Sequence, residues 1–519
     1  MDELKRRHRQ APIRNPTRDR QASHRLPVSS MQRRIWIDEV HMPVTLSRFG
    51  VSILLKGLAS SDSETIKDVS VVLKQGKVAL NPASVSIRKR LLVPTLAVRV
   101  LGRFAANLQN GIAIAATFSS DDRLEQGLAS IEAEVCWTDG FMERVRLATV
   151  FVQRVTPLSF NSAIGPDTIG IALATYNPDA SLFRAQINSI KAQSHTDWVC
   201  VISDDCSAPS FLTEIQAALG HDPRFALSVA PNNAGFYRNF ERAVALLPEG
   251  CRWIAYADQD DEWAPDKLEL LMCQAKRTGS PLVFSDVAVY SNTGQRLANT
   301  FWVHRRLEVQ SPTAIALANT VTGMATLFRS CLLPTAMPFP ALPGRAYHDR
   351  WIALAALAQV ELQYIPKPLA RYVQHTGNDT GVLKRPAGAT GLMLQFVKCF
   401  VGLGISVLRP SLWGSIPARL ELIAHWTNDE LLSLSLQIEA LQQRLPRDRW
   451  RDGVWQQFQN LPVHPASIIF HVPPRTFADP YRRHMAVGFA LSAFAQFLIS
   501  LGIRAKLFFR TPHHLTTES

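Results

Sequence analysis

From Thr168 onward, short apolar runs alternate with stretches whose apolar residues recur at helical spacing. Thr168–Ala174 is such a run, and it ends in the turn sequence Thr175-Tyr176-Asn177-Pro178. Ser181–Ile190 then carries the helical pattern. A second run, Trp198–Ile202, ends in Ser203-Asp204-Asp205-Cys206-Ser207, and a helix is expected over Phe211–Ala218. Phe225–Val229 reads as a strand, Pro231-Asn232-Asn233-Ala234-Gly235 as a loop, and about Tyr237 to Leu247 as a helix. Trp253–Ala257 is a further buried-strand candidate. Alternation of this kind predicts an α/β domain with a mainly parallel sheet covered on both faces. Ligands of such sheets bind beyond the carboxyl ends of the strands. The polar residues fall there.

The flanks differ. Between residues 35 and 155, Phe49–Lys56, Val69–Lys74, Thr95–Val100, Gly111–Phe118, Ile131–Trp137 and Arg144–Val155 read as strands with some alternation. Thr138-Asp139-Gly140 signals a hairpin between two of them. A β-sandwich or small barrel is expected, with a positioning, sugar-binding or oligomerising role, since no catalytic constellation falls within it. Beyond about Lys384 the pattern is helical. Ile416–Leu445 reads as an amphipathic helix with Pro417 in its first turn. Leu392–Leu408 carries only Lys398 as a charge, and Met485–Ile503 carries none but is flanked by Arg482, Arg483, Arg504 and Lys506. The second segment is long enough to nearly cross a hydrocarbon core. Ser492, Gln496 and Ser500 interrupt it, so a core helix, an interfacial helix and a span all remain open.

A chain of 519 residues exceeds one ordinary core. The expected division is a basic tail (1–34), the β domain (35–160), the α/β domain (161–385) and a helical, membrane-associated region (386–519). The formal charge is +13, and the first 34 residues, with ten Lys/Arg and three Asp/Glu, contribute 10 − 3 = +7. This tail lacks apolar residues for a core and is expected to be largely disordered; it has no apolar run of a cleavable signal peptide. Acidic lipid headgroups suit its charge, and so does simple solvation. No nucleic-acid recognition fold accompanies it, so nucleic acid is not an expected partner. The seven cysteines form no Cys-x-x-Cys pair, which excludes the common zinc and redox motifs and fits a reducing cytoplasm.

The most informative chemistry lies in Tyr256-Ala257-Asp258-Gln259-Asp260-Asp261-Glu262-Trp263-Ala264-Pro265-Asp266-Lys267-Leu268. Carboxylates crowded at a strand end raise one another's pKa unless a cation sits among them. Hard oxygen ligands there suit Mg²⁺ or Mn²⁺ holding a diphosphate. An acidic loop leading into a helix near Pro265 is the plainer alternative.

These residues, with Ala174-Thr175-Tyr176-Asn177, Asp204-Asp205 and Asn233-Ala234-Gly235, resemble the family 2 glycosyltransferases of the GT-A fold. The resemblance continues through Phe284-Ser285-Asp286, Val321-Thr322-Gly323, His348-Asp349-Arg350-Trp351 and Gln374-His375-Thr376-Gly377-Asn378, covering roughly residues 166–385. The Asp-Gln-Asp-Asp-x-Trp form looks most like the bacterial rhamnosyltransferase-like branch of surface-polysaccharide assembly. The resemblance implies a nucleotide-sugar donor held by Ala174, Tyr176, Asn177, Asp205, Asn233 and Asp258. It implies a divalent metal on Asp260 and His375, and Asp349 as the base of an inverting transfer. Asp286, Gly323 and Trp351 would face the acceptor or sugar, with Trp263 a second stacking candidate. The acceptor would be a glycan or lipid-linked, reached from the cytoplasmic face of the membrane.

Plainer roles stand beside these: Asp205 as a turn cap, Asp286 as a turn-directed acid, Gly323 as a close backbone approach, His375 as an exposed loop residue, and Trp263 and Trp351 as packing. Two other classes compete with a transferase. One is a carbohydrate-binding or assembly protein on the same fold. The other is a nucleotidyltransferase or phosphotransferase, which would want a Gly-x-x-x-x-Gly-Lys loop that this chain lacks.

Overall fold

Strand alternation in the N-terminal region builds two facing sheets. In the computed structural model, described for residues 34–40, 44–60, 66–91, 111–302, 307–317, 319–343, 346–375 and 415–459, these sheets use nine strands. They are β1 (Arg34–Val40), β2 (Val44–Leu46), β3 (Val51–Ser60), β4 (Ile66–Gln75), β5 (Val78–Leu80), β6 (Ser84–Leu91), β7 (Gly111–Phe118), β8 (Gly127–Trp137) and β9 (Met142–Arg154). One sheet runs β1-β3-β7-β6 and the other β2-β9-β8-β4-β5. Ile53, Leu55, Ile112 and Ile114 of the first meet Val71, Leu73, Ile131 and Val135 of the second in one core, so the region is a sandwich. The β8–β9 hairpin turns at Asp139-Gly140, where Gly140 takes φ +86° as the turn demands. The expected strand Thr95–Val100 lies outside the described residues.

The central sheet comprises β10 (Ile169–Thr175), β11 (Trp198–Asp204), β12 (Phe225–Val229), β13 (Trp253–Ala257), β14 (Glu262–Trp263), β15 (Leu282–Ser291), β16 (Arg296–Ala298), β17 (Thr326–Arg329) and β18 (Gln363–Gln374). Its order is β12-β11-β10-β13-β17-β15-β18-β14, with β16 on β15. The first four strands are parallel, as expected from buried apolar runs joined by helices. The other half mixes directions. β17 enters antiparallel to both β13 and β15, so the sheet is mixed rather than mainly parallel.

Helices α1 (Ala180–Lys191), α2 (Pro209–Leu219), α3 (Phe236–Leu246), α4 (Lys267–Thr278), α5 (Pro312–Leu317), α6 (Leu333–Ala336), α7 (His348–Leu357), α8 (Ser415–Arg444) and α9 (Val454–Gln459) complete the described chain. α1, α2 and α4 bury one face of the central sheet, where Phe183, Ile187, Ile215 and Leu271 pack on Ile171, Ile202 and Ala255. α3, α7 and α8 cover the other face. The α/β class with a β-rich N-terminal region and a helical C-terminal region is therefore as expected.

Three parts share that second core. Leu54 of β3 and Ala113 of β7 point away from the sandwich interior and join the cluster that holds Val244, Leu354 and Leu441. Strand periodicity explains it: Ile53 and Leu55 face inward, so Leu54 faces out, and it is apolar because this outer face is covered. α8 departs from the amphipathic pattern. Residues 432–438 are buried all round, including Ser433, Ser435 and Gln437. A helix wedged between two bodies has no solvent face there. Its adjacent acids grip both neighbours: Asp429 pairs with Lys56 of β3 at 2.9 Å and Glu430 with Arg350 of α7 at 3.5 Å.

The tail of residues 1–33 and the apolar segments Leu392–Leu408 and Met485–Ile503 lie outside the described residues. Among the described residues, no helix is long and apolar enough to cross a membrane.

Candidate functional site

Parallel register aligns the strand ends. Thr175 pairs with Asp204, and Leu173 with Ala257, so Tyr176, Asp205 and Asp258 leave the sheet side by side. This is the crevice in which α/β sheets bind ligands.

Two loops form one wall. Asn177 adopts φ +42°, donates its N–H to Ser207 Oγ at 2.7 Å and accepts from Ala208 N at 3.0 Å. It therefore ties the β10 loop to the β11 loop. Asp205 accepts from Ala234 N and Gly235 N, both at 2.8 Å, while Asn233 Nδ2 donates to the Asp205 carbonyl at 3.1 Å. Burial pushes the Asp205 carboxyl up, against the lowering effect of those two N–H donors. The turn-capping role of Asp205 is thus present in the structure, with each oxygen retaining a lone pair for a ligand. Ala174 lies nearly buried at the end of β10, and Tyr176 presents a ring left 47% exposed, open to a flat partner.

The acidic wall follows β13. Asp258 sits at the lip, where burial and then the charges of Asp260 and Asp349 push its carboxyl up. Asp261 is buried, is pushed up by burial and by Asp260 and Asp258, and leaves its Oδ1 without a hydrogen-bond partner. Asp260 meets His375, which β18 delivers from beside the edge strand β14: His375 Nε2 lies 2.8 Å from Asp260 Oδ2. This carboxylate–imidazole pair fits a divalent cation, whose charge would offset the crowding of the three acids. Among the described residues no cluster of three His, Cys, Asp or Glu side chains could by itself hold an ion. Magnesium-type sites commonly complete their shell with substrate phosphate and water.

Asp349 opens α7. Its Oδ1 accepts from Arg350 N at 2.6 Å and its Oδ2 from Gly323 N at 3.4 Å. Burial raises its carboxyl to about 6, with these N–H donors pulling the other way. Adjacent His348 is unlike it. The imidazole stacks on Phe240 at 3.6 Å between centroids and meets Tyr256 edge-on. Neither ring nitrogen has a hydrogen-bond partner, and burial lowers its pKa to about 3. It is a neutral packing group. Gly323 touches this pair directly, because a Cβ there would come within 2.5 Å of His348 Nε2. The close-approach reading of Gly323 describes the structure.

Three aromatic and acidic assignments need revision. Trp351 is fully buried, its indole N–H donating to the Ala336 carbonyl at 2.8 Å, so it packs beneath α7 and offers no face to a sugar. Trp263 is likewise buried, with Lys267 Nζ 3.1 Å from its ring centroid. Asp286 accepts from Val287 N, Thr300 Oγ1 and Phe301 N at 2.7, 2.6 and 3.2 Å, and so anchors the 300–301 loop. Thr376, Gly377 and Asn378 lie outside the described residues. Two residues carried no separate role in the sequence reading. Lys267 is buried with Nζ lacking a hydrogen bond, and Gln259 reaches across to β10. Their signal was position: Gln259 between two acids, and Lys267 on the first turn after them.

The arrangement defines a class. Residues 171–332, from β10 through β17, match the family model described as Glycosyl transferase family 2. Those residues of the α/β sheet are thus similar to the glycosyltransferases that the model describes. Among curated proteins it is similar to the succinoglycan biosynthesis protein ExoO of Rhizobium meliloti (strain 1021), 32% identical over 132 residues, 25% of this chain and 36% of ExoO. It is also similar to the UDP-Glc:alpha-D-GlcNAc-diphosphoundecaprenol beta-1,3-glucosyltransferase WfgD of Escherichia coli, 24% identical over 176 residues, 33% of this chain and 64% of WfgD. The matched segments span between 11% and 64% of these and similar curated relatives' own length. A solved structure of residues 1–349 of S. aureus TarS aligns with 64% of this chain and 92% of its own, at 13% identity and a TM-score of 0.35.

Proposed function

We propose that this protein is an inverting, metal-dependent glycosyltransferase that moves a sugar from a nucleotide-sugar donor to a glycan or lipid-linked acceptor in bacterial surface-polysaccharide synthesis. The observation that carries the reading is the meeting of Asp260 with His375 in the same crevice that Asp258 and Asp349 enter. Ala174, Tyr176 and Asn177 would cradle the nucleoside, with Asp205 and Asn233 closing the loop behind it. Asp260 and His375 would hold Mg²⁺ or Mn²⁺, which supplies Lewis-acid stabilisation of the departing diphosphate.

Asp349 then takes the proton of the acceptor hydroxyl. The freed oxygen bonds to the anomeric carbon as the bond from that carbon to the diphosphate oxygen breaks. Attack from the opposite face inverts the configuration. A carboxylate rather than the His348 imidazole suits this step, since His348 is enclosed by rings and uncharged. Asp286 and Gly323 would shape the acceptor side indirectly, through the 300–301 loop and the approach to Asp349.

Within this reading the donor sugar is rhamnose, on the resemblance of the Asp-Gln-Asp-Asp-x-Trp sequence to that branch. The protein works at the inner membrane face, with the basic tail and the apolar segments near the C-terminus as anchors, and the sandwich is an accessory domain that positions the acceptor. Incubating the purified full chain with UDP-, GDP- and dTDP-sugars and MnCl₂ tests the reading. Release of one nucleoside diphosphate by the wild type but not by Asp260→Ala supports it. No turnover or binding with any donor would reject it.

A further inference from the structure

Gln259 lies between Asp258 and Asp260 of the acidic loop, yet its side chain leaves that loop. Its Oε1 accepts from Tyr176 N at 2.7 Å and from Thr175 Oγ1 at 2.9 Å, and its Nε2 donates to the Tyr176 carbonyl at 3.3 Å. The amide therefore pairs in both directions with the backbone of one residue, its N–H and its carbonyl, across 83 residues of sequence. A side-chain amide can do this with separate donor and acceptor atoms, whereas a carboxylate lacks the donor and a lysine lacks the acceptor.

The residue so gripped on both sides of its Cα is Tyr176, whose ring is half-exposed. It sits where β10 has ended and the ladder to β11 no longer supplies partners, the last pair being Thr175 with Asp204. Asn177, next in the chain, takes a left-handed φ of +42°, which costs a non-glycine residue energy and must be held by its surroundings. Ser207 and Ala208 hold it from one side, and Gln259 holds Tyr176 from the other.

We propose that Gln259 is a positioning residue for donor specificity: it locks the Tyr176 peptide so that the ring forms a fixed platform for the nucleobase, and it links that platform to the diphosphate end of the site. This rests on the proposed nucleotide-sugar reading and extends it. Gln259 itself need not touch the donor. Its effect falls on the nucleoside half of the ligand, while Asp260 and His375 serve the phosphate half.

The consequence is a split between ligands. Full-length protein is titrated by calorimetry with UDP, GDP and dTDP, each with MnCl₂, and separately with inorganic pyrophosphate and MnCl₂. Gln259→Leu keeps the size and removes all three hydrogen bonds. It is expected to weaken the preferred nucleoside diphosphate about 10- to 100-fold, the equivalent of one to two net hydrogen bonds, and pyrophosphate by less than about 3-fold. Equal losses for both ligands, or none, would overturn the proposal.

Gln259→Met keeps the side-chain length, removes the same three hydrogen bonds and adds no charge between Asp258 and Asp260. A loss of about 10- to 100-fold is again expected, and this variant serves if the leucine variant does not fold. Unchanged nucleotide affinity in Gln259→Met would likewise overturn the proposal. Pairing either variant with Tyr176→Ala completes a double-mutant cycle. If Gln259 acts through Tyr176, the effects are strongly non-additive. Additive losses reject that route. Failure of the wild type to bind any nucleoside diphosphate would instead reject the nucleotide-sugar reading itself.

Discussion

His375 Nε2 lies 2.8 Å from Asp260 Oδ2, although 115 residues separate them in the chain. The contact exists because β18 runs parallel to β15 across the sheet and also pairs with the two-residue strand Glu262–Trp263, which begins one residue beyond Asp260. Pairing Trp263 with Ala370 places the end of β18 over the acidic loop.

Asp260→Ala is expected to abolish transfer while the thermal melt changes little, because the residue lies at a strand end and not in the core. His375→Ala should keep activity at saturating Mn²⁺ and raise the Mn²⁺ needed for half-activity at least about 10-fold, as loss of metal-supporting groups does. Metal titrations of initial rate check both. Full activity of Asp260→Ala in excess chelator would remove the metal from the mechanism.

The pH profile follows from Asp349. A base must be ionised to accept a proton, and burial lifts this carboxyl to about 6. Below that pH it is protonated and inactive, so kcat/KM should rise with pH through about 6 and level above it. Asp349→Asn should lose this limb and cut turnover by about 10²-fold or more, with donor affinity little changed. An Asn variant of near-normal rate would move the base elsewhere.

Gly323→Ala places a methyl group 2.5 Å from His348 Nε2, and the imidazole is pinned between Phe240 and Tyr256. The ring has nowhere to go. Destabilisation of about 2 kcal/mol is expected from overpacking, read by denaturant unfolding. Turnover should fall more than donor binding, because Asp349 moves with His348. An unchanged stability and rate would mean that the 322–325 turn yields freely.

A fragment of residues 160–385 should be poorly soluble or lack a cooperative melt, whereas one of residues 34–459 should unfold in a single transition. Leu432, Leu434, Leu436, Ile438 and Leu441 of α8 fill the core that α3 and α7 share with Leu54 and Ala113 of the sandwich. Removing both flanks exposes that surface to water. Thermal unfolding by circular dichroism distinguishes the outcomes. A folded short fragment that binds the donor would make the catalytic unit autonomous.

The local elements around the site were legible in the sequence. Apolar runs such as Trp253–Ala257 and helical repeats such as Ser181–Ile190 state their own periodicity, and polar residues at strand ends mark the ligand edge. The β character of the N-terminal region was legible for the same reason, since alternation is a property of neighbouring positions, while sandwich and barrel both stayed open. What the sequence could not state was which faces are covered twice. Leu54 differs from Ile53 only in pointing outward, and α8 reads as amphipathic until the sandwich closes its remaining face. The same holds in the site. The residue types Asp258, Asp260 and Asp349 raised acid–base and metal chemistry as expectations, and Trp351 looked equally fit for a sugar until α7 turned it inward. Gln259 carried no signal of its reach to Tyr176. Periodicity and composition are short-range properties of the chain, so they fix elements and chemistry. Long-range strand pairing and burial decide which side chains meet, and those depend on the packing of parts that the sequence shows only one at a time.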